Sequence, residues 1–201
     1  RGVDHTSWTN VADFLLNRDG TLYYLSQGGW FSHLTDDGWQ QLFNNGQVIR
    51  DFAVAANDSV FTLDSNGNVH AHSRKSDGHY AVRSSASWGN KADLWFDSQD
   101  RLILIEKGQT HISRSIGPRG NNGWDNLGRN FISYEVTQDD KFWVLESDGE
   151  LRFEGQVKAT DVARFELTEN GDIVAFDNNE RRVEVDGISE ARLSESKGQL
   201  V

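Results

Sequence analysis

The stretch DFLLNRDGTLYYL, residues 13–25, decides the fold, because its pattern returns four more times. It comes back as DFAVAANDSVFTL at 51–63, DLWFDSQDRLILI at 93–105, SYEVTQDDKFWVL at 133–145 and RFELTENGDIVAF at 164–176. Each copy is anchored on one turn residue: Gly20, Asp58, Asp100, Asp140 and Gly171, with a fainter sixth anchor at Gly198. Six places before each of the first five stands an apolar residue: Phe14, Phe52, Leu94, Tyr134 and Phe165. Four places before stands another: Leu16, Val54, Phe96, Val136 and Leu167. Alternation of this kind is the mark of a β-strand. After the anchor, Leu22, Val60, Leu102, Phe142 and Ile173 open a second strand that is apolar almost throughout. Such a strand needs cover on both faces.

A second turn follows in each copy, at Gly28-Gly29, Asn66-Gly67, Lys107-Gly108, Asp148-Gly149 and Asn178-Asn179. These are residues that tolerate positive φ in hairpins. Third strands are expected at 69–72, 110–113, 151–154 and 182–185. In the first three copies a turn and an aromatic announce a fourth strand: Asp37-Gly38-Trp39, Asp77-Gly78-His79-Tyr80 and Asn122-Gly123-Trp124. Four antiparallel strands per unit at a period near 40 describe a propeller blade. A β-sandwich is the competing fold, but it does not require one register to return at that period. The expectation is an all-β chain, one β-propeller domain over 1–201. Its blades fall near 10–42, 48–85, 91–127, 131–160 and 162–193, with a possible sixth starting at 194–201. The last two lack the turn-plus-Trp signature, so either they are shortened or the chain stops within a blade. The terminal Gly198–Val201 reads like a strand beginning, which points to a piece of something larger. The alternative is a last blade completed by a strand around Trp8.

Composition agrees. The chain has 201 residues, 36% hydrophobic, with 22 aromatics, 19 glycines and one proline. No run is long enough to span a bilayer as a helix. The absence of cysteine removes disulfides, thiolate metal sites and cysteine nucleophiles. A net charge of −11 makes nucleic acid and anionic membrane surfaces poor partners.

Three sets of residues could carry chemistry. Asp13, Asp51 and Asp93 share one position at the start of the first strand in three successive copies, which would bring them near the axis at one mouth. Close carboxylates are how glycosidases obtain an acid and a nucleophile or base. An Asp in that place can equally satisfy free backbone amides, and repetition favours that role. His70 and His72 share a strand face, His111 repeats the first and His33 roughly the second. Repeated histidines of this sort read as packing between blades, not as zinc ligands. The acidic turns at 64–68 and 146–150 misplace the glycine of a calcium loop and read as hairpins. No metal or cofactor is expected. Aromatics with polar neighbours form the third set: Trp39 with Asp37, Tyr80 with Asp77, and Trp124 with Asn122 and Asp125. Flat rings of this type stack on sugars, or else they pack between blades.

The repeat resembles that of the tachylectin-2 type of five-bladed propeller lectins. The residues that carry the likeness are Asn122-Gly123-Trp124-Asp125 leading to Tyr134 and Val136, Gly38-Trp39 leading to Phe52 and Val54, and Gly20-Thr21-Leu22-Tyr23. It is also similar to irregular propeller modules of bacterial toxins and injected effectors. The resemblance implies a non-catalytic binding module, first for carbohydrate. The alternative is a protein-interaction propeller within a larger secreted or translocated protein, and a glycosidase is the third reading. It implies a secreted setting, or delivery into a host cell, with a glycan or protein partner.

Overall fold

The computed structural model describes residues 10–17, 20–36, 38–42, 48–74, 80–120, 122–168 and 172–187. Two compact units divide the chain, Arg1–Lys107 and Gly108–Val201. In the first, sheet 1 runs β1 (Val11–Leu16), β2 (Leu22–Ser26), β3 (Phe31–Thr35) and β4 (Gly38–Gln41) in order. Sheet 2 repeats this with β5 (Ile49–Val54), β6 (Val60–Asp64), β7 (Val69–Arg74) and β8 (Tyr80–Trp88). An antiparallel pair follows, β9 (Lys91–Phe96) with β10 (Leu102–Glu106). The second unit starts with the pair β11 (His111–Ser115) and β12 (Trp124–Arg129). Sheet 4 is β13 (Phe131–Val136), β14 (Phe142–Glu146), β15 (Leu151–Phe153) and β16 (Gln156–Ala159). Sheet 5 is β17 (Arg164–Leu167), β18 (Ile173–Phe176) and β19 (Arg182–Val183). No α-helix occurs among the described residues. The chain is all-β, built from the up-and-down meanders of a β-propeller.

One register recurs in all five hairpins. Phe14 faces Tyr24, Phe52 faces Thr62, Leu94 faces Leu104, Tyr134 faces Val144 and Phe165 faces Ala175. The anchors explain why it is held. Gly20, Asp58, Asp100 and Asp140 all adopt left-handed backbone, with φ of 86°, 63°, 61° and 58°. Each donates its N–H to the carbonyl three residues back, at 3.0 Å, and so closes the turn. Glycine adopts that conformation freely, and aspartate is among the few others that visit it at modest cost. The anchor Gly171 lies outside the described residues.

Packing between sheets builds the core. Tyr23, Leu25 and Phe31 of sheet 1 meet Ile49, Phe52 and Val60 of sheet 2, with the Phe31 and Phe52 rings 4.5 Å apart. Phe61 meets Phe96 edge-on at 5.3 Å. In the second unit Trp143, Leu145 and Leu151 pack on Ile173, Ala175 and Val185, flanked by Phe165 and Leu167. The middle strands β6 and β14 are buried along their whole length, and β10 along all but its last residue. The pattern does not hold everywhere. β2 and β18 alternate between buried and half-buried residues, so sheets 1 and 5 each have only one well-covered face.

Sheet 4 has a fourth strand despite lacking the turn-plus-Trp signature. It is reached through the tight turn Glu154-Gly155, both residues at positive φ (50° and 78°). That turn needs no aromatic, and the three-residue β15 makes the sheet compact. Sheet 5 shows three strands among the described residues. Trp8 and the suggested sixth unit at 194–201 lie outside them.

Candidate functional site

The three repeated aspartates sit where the first strand of each copy shifts register against the second. The irregularities fall between Val11 and Asp13 and between Ile49 and Asp51, and where Lys91 and Asp93 meet β10. A bulge there breaks the ladder. In each case the aspartate Oδ1 accepts the next residue's amide: Phe14 to Asp13 at 2.7 Å, Phe52 to Asp51 at 2.8 Å, and Leu94 to Asp93 at 2.8 Å. The amide-satisfying role is therefore what the geometry displays. Adjacent strands β5 and β9 also bring two of these carboxyls together, and Asp51 is hydrogen-bonded to Asp93. Burial first, then the Asp93 hydrogen bond and charge, push the Asp51 carboxyl up to about 7, against the opposing pull of the Phe52 and Leu94 amides. A glycosidase needs its two carboxyls roughly 5 Å apart or more, with the sugar between them. Asp51 and Asp93 interact directly with each other, and Asp13 is solvent-exposed.

The aromatic candidates do not share one surface. Trp39, on β4, is 44% exposed and leans on Tyr24 with ring centroids 5.8 Å apart. Tyr80 instead packs into the core between sheets 1 and 2. Its hydroxyl is 2.6 Å from that of Tyr23, and its ring meets His33 edge-on at 5.3 Å. Tyr23 and Tyr24 are consecutive on β2 and so point to opposite faces. Trp39 and Tyr80 therefore lie on opposite sides of sheet 1. In the second unit Trp124 is half-buried at the start of β12. Asn122 is exposed in the preceding turn, and Asp125 lies 4.0 Å from Arg114. Asp37 and Asp77 lie outside the described residues.

The histidines are mostly core. His33, His70 and His72 are buried, while His111 is exposed. His72 contacts the Thr62 hydroxyl at 3.1 Å. Burial, then the neighbouring His70, push its pKa down to about 3, which keeps the ring neutral. His70 reaches Asp64 at 3.1 Å. Asp64 also accepts the Asn66 and Asn68 amides at 2.9 and 2.8 Å. Burial works to raise the Asp64 carboxyl, but the bonds from Asn68, His70 and Asn66 outweigh it and hold it below the usual range. The turn at 64–68 is thus a self-satisfied hairpin. In the second acidic turn, Glu146, Asp148 and Glu150 each bring a carboxylate oxygen within 4.8 Å of the others. The Arg152 guanidinium already serves this group, 3.0 Å from Glu146 and paired with Glu150.

Sheet 1 carries a feature that the motif reading missed. Its register places Phe14, Leu16, Leu22, Tyr24, Ser32, Leu34, Trp39 and Gln41 on the face turned away from sheet 2. None is charged, in a chain with 25% charged residues. Phe14 is 66% exposed, Leu16 67% and Leu34 40%. The equivalents of Phe14, Leu16 and Leu22 pack against the preceding sheet in sheet 2 (Phe52, Val54, Val60) and in sheet 5 (Phe165, Leu167, Ile173). The alternation in DFLLNRDGTLYYL was the available signal. What the sequence does not say is that these side chains stay open. The outward face of sheet 5 is of the opposite character. Arg164 covers the Phe176 ring at 3.9 Å and is held by Glu166 and Glu180.

No protein-family model matches the chain, and no curated protein matches it significantly. Among solved structures, virginiamycin B lyase from Staphylococcus aureus is similar at 15% identity and a TM-score of 0.49, over 86% of this chain and 57% of that one. A gluconolactonase-like protein gives 15% and 0.46, over 88% and 74%. YCF48 bound to a D1 peptide gives 14% and 0.47, over 92% and 64%. This chain spans less than two thirds of the length of the lyase. These are β-propeller proteins, a likeness of fold that does not single out the tachylectin-2 type.

Proposed function

We propose that the chain is a non-catalytic binding module and that it binds protein through the outer face of sheet 1. One observation carries this: eight neighbouring side chains on that face, four of them large and exposed, with no charge among them. Exposed apolar patches of a few hundred Å² mark contact surfaces. Supporting it, the Asp51 and Asp93 carboxyls are taken up by backbone amides and by each other, an arrangement suited to holding strands and not to straddling a sugar. A photo-crosslinking residue at position 39 tests the proposal in an extract of the source cells. A protein adduct absent from a position-139 control supports it. No adduct above that control sinks it.

A glycan remains the second reading, favoured by exposed Asn122 and half-exposed Asp125 beside Trp124. A glycan array separates the two: hits lost in Trp124→Ala support this site, and a blank array retires it. A secreted or delivered setting belongs to the same proposal, and fractionation of producing cells checks it.

A further inference from the structure

We infer that Asn122 is a site of spontaneous deamidation, which turns the exposed corner before β12 from neutral to acidic without any enzyme.

The chemistry joins an asparagine carboxamide to the backbone nitrogen of the next residue. Asn-Gly is the favourable pair, because glycine sets no side chain beside the attacking nitrogen. Four such pairs occur: Asn45-Gly46, Asn66-Gly67, Asn122-Gly123 and Asn170-Gly171. The first and last lie outside the described residues.

The structure separates the remaining two. Gly67 is buried, and its N–H donates to the Asp64 carbonyl at 2.9 Å. A Cβ there would stand 2.9 Å from the Lys91 carbonyl oxygen and from a Lys107 side-chain carbon. The Asn66 amide is also held, by the Asp64 carboxylate at 2.9 Å. This nitrogen is both shielded and occupied. Asn122 and Gly123, by contrast, are both exposed, with φ of 65° and 96° in the turn that precedes Trp124. The Gly123 carbonyl accepts the Ile116 amide at 3.0 Å. Among the described residues, no hydrogen bond takes up the Gly123 N–H or the Asn122 carboxamide. A Cβ on Gly123 would meet only Ile116 Cδ1, at 3.4 Å. Here the nitrogen is open to attack.

The reaction needs water and nothing else. The Gly123 nitrogen bonds to Asn122 Cγ, the Cγ–Nδ2 bond breaks, and Nδ2 leaves as ammonia with the proton that the Gly123 nitrogen gives up. Water then opens the cyclic succinimide. Cleavage of its Cγ–N bond yields aspartate. Cleavage at the main-chain carbonyl yields isoaspartate, whose backbone runs through Cγ. Either product sets a carboxylate in place of the neutral carboxamide near Trp124 and Asp125, in a chain already at −11.

Peptide mapping by mass spectrometry tests this on the full chain, incubated at pH 8.5 and 37 °C in buffer and in 6 M guanidinium chloride. Deamidation adds about 1 Da, and fragment ions assign it to position 122 or 121. Unfolded, Asn66 and Asn122 should react at rates within about threefold of each other. In the folded chain Asn122 should stay within about threefold of its unfolded rate. Asn66 should fall by about tenfold or more, the factor set by one retained hydrogen bond. Asn122→Gln should remove the product at 122 and leave the Asn66 rate unchanged. Equal slowing of both sites on folding overturns the inference, as does an Asn122 peptide that gains no mass.

Discussion

Replacing Asp51 by Asn should stabilise the protein most at alkaline pH and less in acid. The folded carboxyl has its pKa raised to about 7 from an ordinary 3.8. Between those values the folded state keeps a proton that the unfolded state releases. Stability therefore falls as pH rises through that window, and the cost is complete above about 7. Three pKa units correspond to about 4 kcal/mol at 1.36 kcal/mol per unit. Because Asp51 is only partly buried, solvent screening reduces this to roughly 2 kcal/mol. Asn cannot ionise. Its carbonyl can still accept the Phe52 amide, and its amide can donate to Asp93. Urea unfolding followed by tryptophan fluorescence at pH 5 and pH 8, at matched slopes, gives the difference. The variant should exceed wild type by about 0.8 kcal/mol at pH 5, where just over a third of that window has passed, and by about 2 kcal/mol at pH 8. In melting temperature that is about 4–8 °C for a chain of this size. An Asn variant that is equally destabilised at both pH values would refute the raised Asp51 carboxyl.

Asp64 runs the other way. Its lowered carboxyl lends stability that is present at neutral pH and lost as pH falls below about 4, so Asp64→Asn should flatten the acid limb of a pH–stability curve. Gly128→Ala should cost about 1–3 kcal/mol, because the new Cβ would stand 2.4 Å from a Val144 methyl carbon. Gly108→Ala, with φ +73° but nothing within 4 Å, should cost only about 1 kcal/mol in thermal or urea unfolding. Arg114 is 5% exposed and pairs with Glu154, whose Oε1 also accepts the Phe142 amide. Arg114→Ala should destabilise by about 3 kcal/mol in the same assay, and Glu154→Gln by less.

Strands and hairpins were legible because they depend on local chemistry. An apolar alternation and a residue able to adopt positive φ, such as Asp58 or Asp140, identify a hairpin wherever it sits. The fourth strand of sheet 4 was not legible. Its turn is made by Glu154, which no turn preference singles out, and Gly155. The site was less readable, since it depends on what lies across from each residue. Nothing local tells Tyr80, inside the core, from Trp39, on an open face: both follow a turn and both are aromatic. The Asp51–Asp93 pairing likewise needed the juxtaposition of β5 and β9. Repetition marked the position but not the contact.

The single register repeated along the chain is what sets Asp51 beside Asp93 and leaves Phe14 facing outward. Cross-strand backbone nuclear Overhauser effects measure it directly. Contacts are predicted for Phe14 with Tyr24, Phe52 with Thr62, Leu94 with Leu104, Tyr134 with Val144 and Phe165 with Ala175. Sequential amide contacts of helical type across any of these segments, or a partner displaced by one residue, would contradict it.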